Sequence, residues 1–132
     1  ADGGPWNRLC ALPAFWVGLL YDQTSLDAAW DLVKDFTLAE RHALRDDVPK
    51  HALKLPFRNG SVRDLALEAL KIAGNGLARR NRLNSTGASE AVFLEPLIEF
   101  AQANQTPAER KLELFHGPWQ RSVDPLFREF AY

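Results

Sequence analysis

An all-α fold is predicted for this chain by three observations. Apolar residues recur at spacings of three and four in several stretches, capping signatures precede those stretches, and no segment makes a convincing strand. Six or seven helices are expected in one domain, since 132 residues leave no room for two ordinary ones. Such a chain buries roughly two thirds of its extended surface, enough for one core. Hydrophobic residues make up 46% and charged residues 25%, which excludes collagen-like and wholly disordered chains. Sixteen basic against seventeen acidic residues give a formal charge of −1, which excludes wrapping nucleic acid or coating an anionic membrane by bulk charge. The single cysteine excludes an internal disulfide, and three scattered histidines argue against a zinc site.

The first element is the uncharged run at residues 9–21 (LCALPAFWVGLLY). It is too short to span a bilayer and reads as a buried helix, apolar all round, with Pro13 in its first turn. Asp22 to Ser25 supply a cap, and Leu26, Ala29, Trp30, Val33 and Phe36 then form a core-facing stripe opposite Asp27, Asp31, Lys34 and Asp35. Thr37 and Glu40 make a capping box for a short helix expected to end before Pro49. Residues 48–60 read as an extended crossing segment that ends in a turn at Asn59-Gly60.

Ser61 caps the longest helix, whose stripe runs through Val62, Leu65, Ala66, Ala69, Leu70, Ala73 and Leu77. Gly74 and Gly76 each weaken it by about 1 kcal/mol relative to Ala, which predicts an end or bend there. The polar stretch at residues 81–89 reads as a mobile loop. Pro96 suits the first position of a helix with Leu97, Ile98 and Ala101 facing inward. Thr106, Pro107 and Glu109 start another, stopped by Gly117-Pro118, and Asp124-Pro125 starts a last short helix through Phe127 and Phe130.

A search for chemistry finds no catalytic constellation. Cys10 has no histidine placed beside it and reads as a small buried hydrophobe. His42, His51 and His116 lack ligand partners at helical spacing, and His116 suits a helix C-terminus. The carboxylates at positions 27, 31, 35, 46 and 47 fit solvated helix faces. Arg79, Arg80 and Arg82 form the one basic cluster, a candidate phosphate or partner contact as well as a charged helix end. Gly3-Gly4-Pro5 is a turn, with neither the Lys-Ser/Thr of a phosphate loop nor the third glycine of a dinucleotide fingerprint. Trp30 fits the core, while Trp6, Trp16 and Trp119 suit either core or partner. The chain contains no Met and its first residues carry no basic leader, so it reads as a piece of something longer.

The opening Ala1-Asp2-Gly3-Gly4-Pro5-Trp6, followed by Leu9-Cys10-Ala11-Leu12-Pro13-Ala14-Phe15-Trp16-Val17-Gly18-Leu19-Leu20-Tyr21-Asp22, resembles the plant-type glutamate–cysteine ligases, a family also found in bacteria. The resemblance continues at Lys54-Leu55-Pro56-Phe57-Arg58-Asn59-Gly60, Gly76-Leu77-Ala78-Arg79-Arg80, Thr106-Pro107-Ala108-Glu109, His116-Gly117-Pro118-Trp119 and Ser122-Val123-Asp124-Pro125-Leu126-Phe127. It covers nearly the whole chain and is weakest at residues 81–89.

The resemblance implies an α+β ligase whose catalytic sheet lies upstream, with residues 1–132 as its C-terminal helical segment. Whole enzymes of this family join the glutamate γ-carboxylate to the cysteine amine through a γ-glutamyl phosphate, the first step of glutathione synthesis, with ATP and magnesium. The family's Glu-x-Arg-Gly strand, bearing a metal ligand and a phosphate contact, would precede Ala1. This chain would therefore bind no cofactor itself and be inactive alone, its partners being the upstream catalytic portion and, in the whole enzyme, glutamate, cysteine and ATP. Residues 1–8 would connect to the catalytic strand, with Asp2, Gly3, Gly4, Pro5 and Trp6 at the rim of the substrate site. Cys10 resembles a cysteine of the plant members' redox-responsive disulfides. The implied location is cytoplasmic in a bacterium and plastid or cytosol in a plant. Severed from the sheet, residues 9–21 and Trp6 would expose apolar surface, so that the piece would self-associate or bind the rest of the enzyme. A free-standing helical docking module without catalysis is the alternative from a different class.

Overall fold

Polar residues set just ahead of apolar runs start most of the helices. In the computed structural model, which describes residues 6–129 with side chains from Arg8 onward, the order is α1 (Trp6–Leu9), α2 (Ala11–Leu20), α3 (Gln23–Val33) and α4 (Leu38–His51). A 3₁₀ turn (Ala52–Lys54) and a hairpin of β1 (Pro56–Phe57) and β2 (Gly60–Ser61) lead into α5 (Val62–Arg80). A 3₁₀ segment (Glu90–Leu94), α6 (Glu95–Ala103), α7 (Pro107–His116) and α8 (Leu126–Glu129) complete it. The Asp22 carboxylate accepts from the Ser25 amide at the start of α3. Thr37 with Glu40, Ser61 with Asp64, and Thr106 with Glu109 form reciprocal capping boxes on α4, α5 and α7. The all-helical expectation is borne out, with six helices of nine residues or more and single turns at α1 and α8 among the described residues.

The hub is α5, which packs against α2, α3, α6 and the segment Glu90–Leu94. Leu70, Ile72, Ala73 and Leu77 of α5 meet Ala14 and Leu19 of α2, Leu94 and Ala101 in the core. The α2–α5 crossing is close because small residues face each other there. A Cβ added at Gly18 would strike the Ala73 carbonyl, and one at Gly76 would strike the carbonyl of Gly18. The predicted end or bend at Gly74 and Gly76 therefore gives way to an unbroken helix to Arg80. Gly76 serves backbone approach, and the tertiary packing it permits outweighs its propensity cost of about 1 kcal/mol. Beside the crossing, buried Ser25 donates from Oγ to the Ile72 carbonyl at 3.0 Å.

α4 has no fully buried residue and is held by polar contacts. Arg58, at the tip of the hairpin, donates to Glu40 at 2.7 and 3.0 Å and to the Asp35 carbonyl at 2.6 Å. Its guanidinium lies 4.8 Å from the Phe36 ring centre and 5.6 Å from that of Phe57. Arg58 takes φ +50°, a left-handed conformation costing about 1–2 kcal/mol that these contacts offset. Lys54 reaches Glu109 on α7 at 2.6 Å, and Arg63 donates to the Ala101 carbonyl at 2.8 Å near the end of α6. In the stretch 81–89, Asn84 Oδ1 accepts from the amides of Thr86 and Ala88 and from the Thr86 hydroxyl.

Several expectations are corrected. Helix α4 runs through Pro49 to His51, because in the last turn the ring removes only one ladder bond. The extended crossing segment is thus confined to the hairpin, whose two-residue strands pair Pro56 with Ser61 and Phe57 with Gly60. A 3₁₀ segment precedes Pro96, which stands in the first turn of α6 rather than at its start. The residue 9–21 run is not buried all round: Trp16 is 51% and Leu20 47% exposed. Trp30, expected in the core, is 63% exposed, because Ser25, Ala28, Ala29 and Leu32 form the inward side of α3. Trp119 is buried, and its indole N–H donates to Glu129 at 3.1 Å. The expected reach of the last helix to Phe130 falls outside the described residues.

Candidate functional site

Three features lie along α2 and α5. The first is cationic. Arg79, on the last turn of α5, donates to Asp22 Oδ1 at 2.8 Å and to Ser25 Oγ at 2.6 Å. Arg79 and the Ser25 amide hold the Asp22 carboxyl below its ordinary range. Arg80 reaches Glu90 at 3.4 Å and lies 5.6 Å from the Tyr21 ring centre. Two of the three clustered arginines are thus engaged in tying α5 to the α2–α3 corner and to the segment Glu90–Leu94. Arg82 lies just past the helix, exposed, with no side-chain ion pair or hydrogen bond among the described residues.

The second feature surrounds the chain's opening. Asp2, Gly3, Gly4 and Pro5 lie outside the described residues. Trp6 begins α1, and its side chain is likewise outside them. Arg8, which sequence reasoning missed, is only 7% exposed. Its guanidinium lies 5.4 Å from the Phe100 ring centre, on the wall of a pocket of about 240 Å³ shared with Phe15, Leu70 and Thr106. The available signal was its position as the last charge before the apolar run. Cys10 is exposed, correcting its reading as a buried hydrophobe. It occupies the N-cap of α2 without capping it, in a hollow beside Val17, Glu90 and Phe93.

The third feature is an apolar groove of about 430 Å³ between α2, α3 and α5. Trp16 and Leu20 form one wall, Leu26, Trp30 and Val33 the other, and Leu65 and Ala69 the floor. No polar or charged side chain lines it. Among the described residues, no three His, Cys, Asp or Glu side chains gather to hold a metal ion, and no helix is long and apolar enough to cross a membrane.

Residues 1–129 match the profile of glutamate–cysteine ligase family 2. The chain is 51% identical over all 132 residues to the chloroplastic glutamate–cysteine ligase of Nicotiana tabacum, covering 24% of that protein. Identity is 53% to the Arabidopsis thaliana enzyme, again over 24% of its length. It is 54% to ligase A of Oryza sativa subsp. indica, over 26%. The chain spans about a quarter of the length of the curated relatives it matches. By this match over nearly all its residues, the chain belongs to glutamate–cysteine ligase family 2.

Proposed function

We propose that the chain is the helical, C-terminal structural portion of a glutamate–cysteine ligase. In this reading the whole enzyme phosphorylates the glutamate γ-carboxylate with ATP and lets the cysteine amine displace phosphate, forming the amide. The observation that carries it is 51–54% identity over all 132 residues to ligases about four times as long. Magnesium and ATP, when bound, would neutralise and transfer the phosphoryl group. The described residues offer no metal-ligand cluster that fits such an ion, so no step is assigned to them through it. The chain's own part is positional. Ala14, with Gly18, seats α2 against α5 and so fixes where α1 joins the helical body.

On the same reading Asp2, Gly3, Gly4, Pro5 and Trp6 shape the rim of the substrate site. Arg82 is the member of the basic cluster free to meet a phosphate or a partner, and exposed Cys10 is open to oxidation. The relatives named above are chloroplastic enzymes, and a plastid location follows for a plant source. A docking module without catalysis is the second reading, favoured by the exposed groove between α2 and α3.

The deciding experiment is ATP turnover dependent on both glutamate and cysteine, measured for the chain alone and mixed with the remaining portion of the ligase. Turnover on mixing only is expected. Turnover by the chain alone would overturn the structural role. No turnover in either case, with the chain stably folded, would favour the docking module.

A further inference from the structure

The shape and chemistry of the groove on α2, α3 and α5 narrow what can fill it. A free small molecule is disfavoured, since a ligand site needs a few converging polar groups and every lining side chain here is apolar. An anionic lipid surface is disfavoured too. The outer side of α3 carries exposed Asp27 and Asp31, and Lys34 is paired to Asp31 at 2.8 Å, so no free basic fringe borders the apolar wall. A second copy placed about a two-fold axis would set groove against groove, and two concave surfaces leave a void rather than a packed interface. What fits is a convex apolar ridge of protein, rimmed by polar groups.

We propose that this ridge belongs to the remaining three quarters of the ligase polypeptide, and that Trp16 and Trp30 are the anchors of that internal interface. The proposal rests on the ligase reading. The relatives supply the bulk: their matched span is 24–26% of the polypeptide, so most of each protein lies outside this segment. The two indoles, 51% and 63% exposed, present on the order of 300 Å² of aromatic surface, comparable to the largest patch a monomer ordinarily shows. They stand on opposite walls, so one inserted ridge desolvates both. Tryptophans in such a pocket are where binding energy concentrates.

The test uses this chain and the remaining portion of the same ligase as separate polypeptides, with affinity read by sedimentation and turnover read in the mixture. Trp16→Glu and Trp30→Glu should each weaken assembly by at least about tenfold, as expected for an anchor. Arg45→Glu on the exposed side of α4 should leave it unchanged. Circular dichroism should show all three variants as folded as the parent, because neither tryptophan is in the core. Unchanged assembly in both tryptophan variants would overturn the proposal. So would a dimer of the chain alone that Trp30→Glu abolishes while binding to the remaining portion persists. Binding to phosphatidylcholine–phosphatidylglycerol vesicles through the same two residues, with no effect on assembly, would also overturn it. If the parent mixture turns over substrate while the tryptophan variants behave like it, only the groove assignment fails. If the parent mixture neither assembles nor turns over, the ligase reading fails with it.

Discussion

The α2–α5 crossing offers a comparison in which one substitution, made twice two residues apart, should act with opposite signs. Gly→Ala in a helix interior gains about 0.5–1 kcal/mol through the smaller backbone entropy of the unfolded chain. At Gly74 the added Cβ would lie 3.9 Å from Leu94 Cδ1, an ordinary contact, so Gly74→Ala should be more stable than the parent by about that gain. At Gly76 the same methyl would collide with the backbone carbonyl of Gly18 and sit 2.8 Å from Ser25 Oγ. A backbone carbonyl within a packed helix cannot rotate aside, so α2 must move. Overpacking of this kind costs about 1–3 kcal/mol. Displacing Ser25 also strains its bond to the Ile72 carbonyl, worth about 1 kcal/mol. Against the helix gain, Gly76→Ala should lose about 1–3 kcal/mol. For a chain of this length the two variants should melt on the order of 10 °C apart, read by circular dichroism and by urea midpoints at constant slope. Equal stability of the two variants would refute the reasoning, since it would mean that the helices separate at no cost.

Acid should weaken both the Arg58–Glu40 clamp on α4 and the Lys54–Glu109 link to α7. Arg58, with the Thr37 amide and hydroxyl, holds Glu40 at about 2 against an ordinary 4.5, and Lys54 with the Thr106 amide does the same for Glu109. A depressed carboxyl pKa contributes stability that is complete above the unfolded value and lost as pH falls through the folded one. The parent should therefore lose stability from pH about 4.5 towards 2, and Glu40→Gln with Glu109→Gln should flatten that slope. Leu77→Ala, at a fully buried position in the α5 hub, should cost about 2–5 kcal/mol in urea unfolding. Ser25→Ala should cost about 1–2 kcal/mol by removing the buried hydroxyl that donates to the Ile72 carbonyl and accepts from Arg79, and a double-mutant cycle with Arg79→Ala should show coupling between the two side chains.

Local rules carried the helix starts. Asp22, Thr37, Ser61 and Thr106 are legible because a cap needs only residues within three positions of itself. Pro49 misleads for the converse reason: a proline forbids a helix interior but not its last turn, and which of these it meets depends on where the chain goes next. Gly76 reads as a weak point until α2 is placed against it. Arg79 reads as a solvated helix end because its partner Asp22 is 57 residues away in sequence. Arg8 was hidden by a rule that charged residues stay outside, which fails where an aromatic face such as Phe100 receives the guanidinium. In the candidate groove, Trp16 was legible as core or partner surface. Trp30 was misassigned because helical periodicity reports that a side chain is apolar, not which protein surface covers it.

That last failure bears on how the groove is held. Its two walls stand on α2 and α3, and what fixes their separation lies on the other side of the same helices: the Gly18–Gly76 approach, the Ser25–Ile72 bond and the Arg79–Asp22 pair. None of these groups lines the groove, yet each anchors one wall to α5, which supplies the floor at Leu65 and Ala69. A groove whose walls are fixed before it is filled loses little conformational entropy on receiving its ridge, so the binding free energy of the two tryptophans is not diluted by ordering their helices. The small and polar residues at the crossing and the large apolar residues at the surface are therefore two halves of one arrangement. The first makes α2, α3 and α5 rigid, and the second gives that rigid body one apolar face to present.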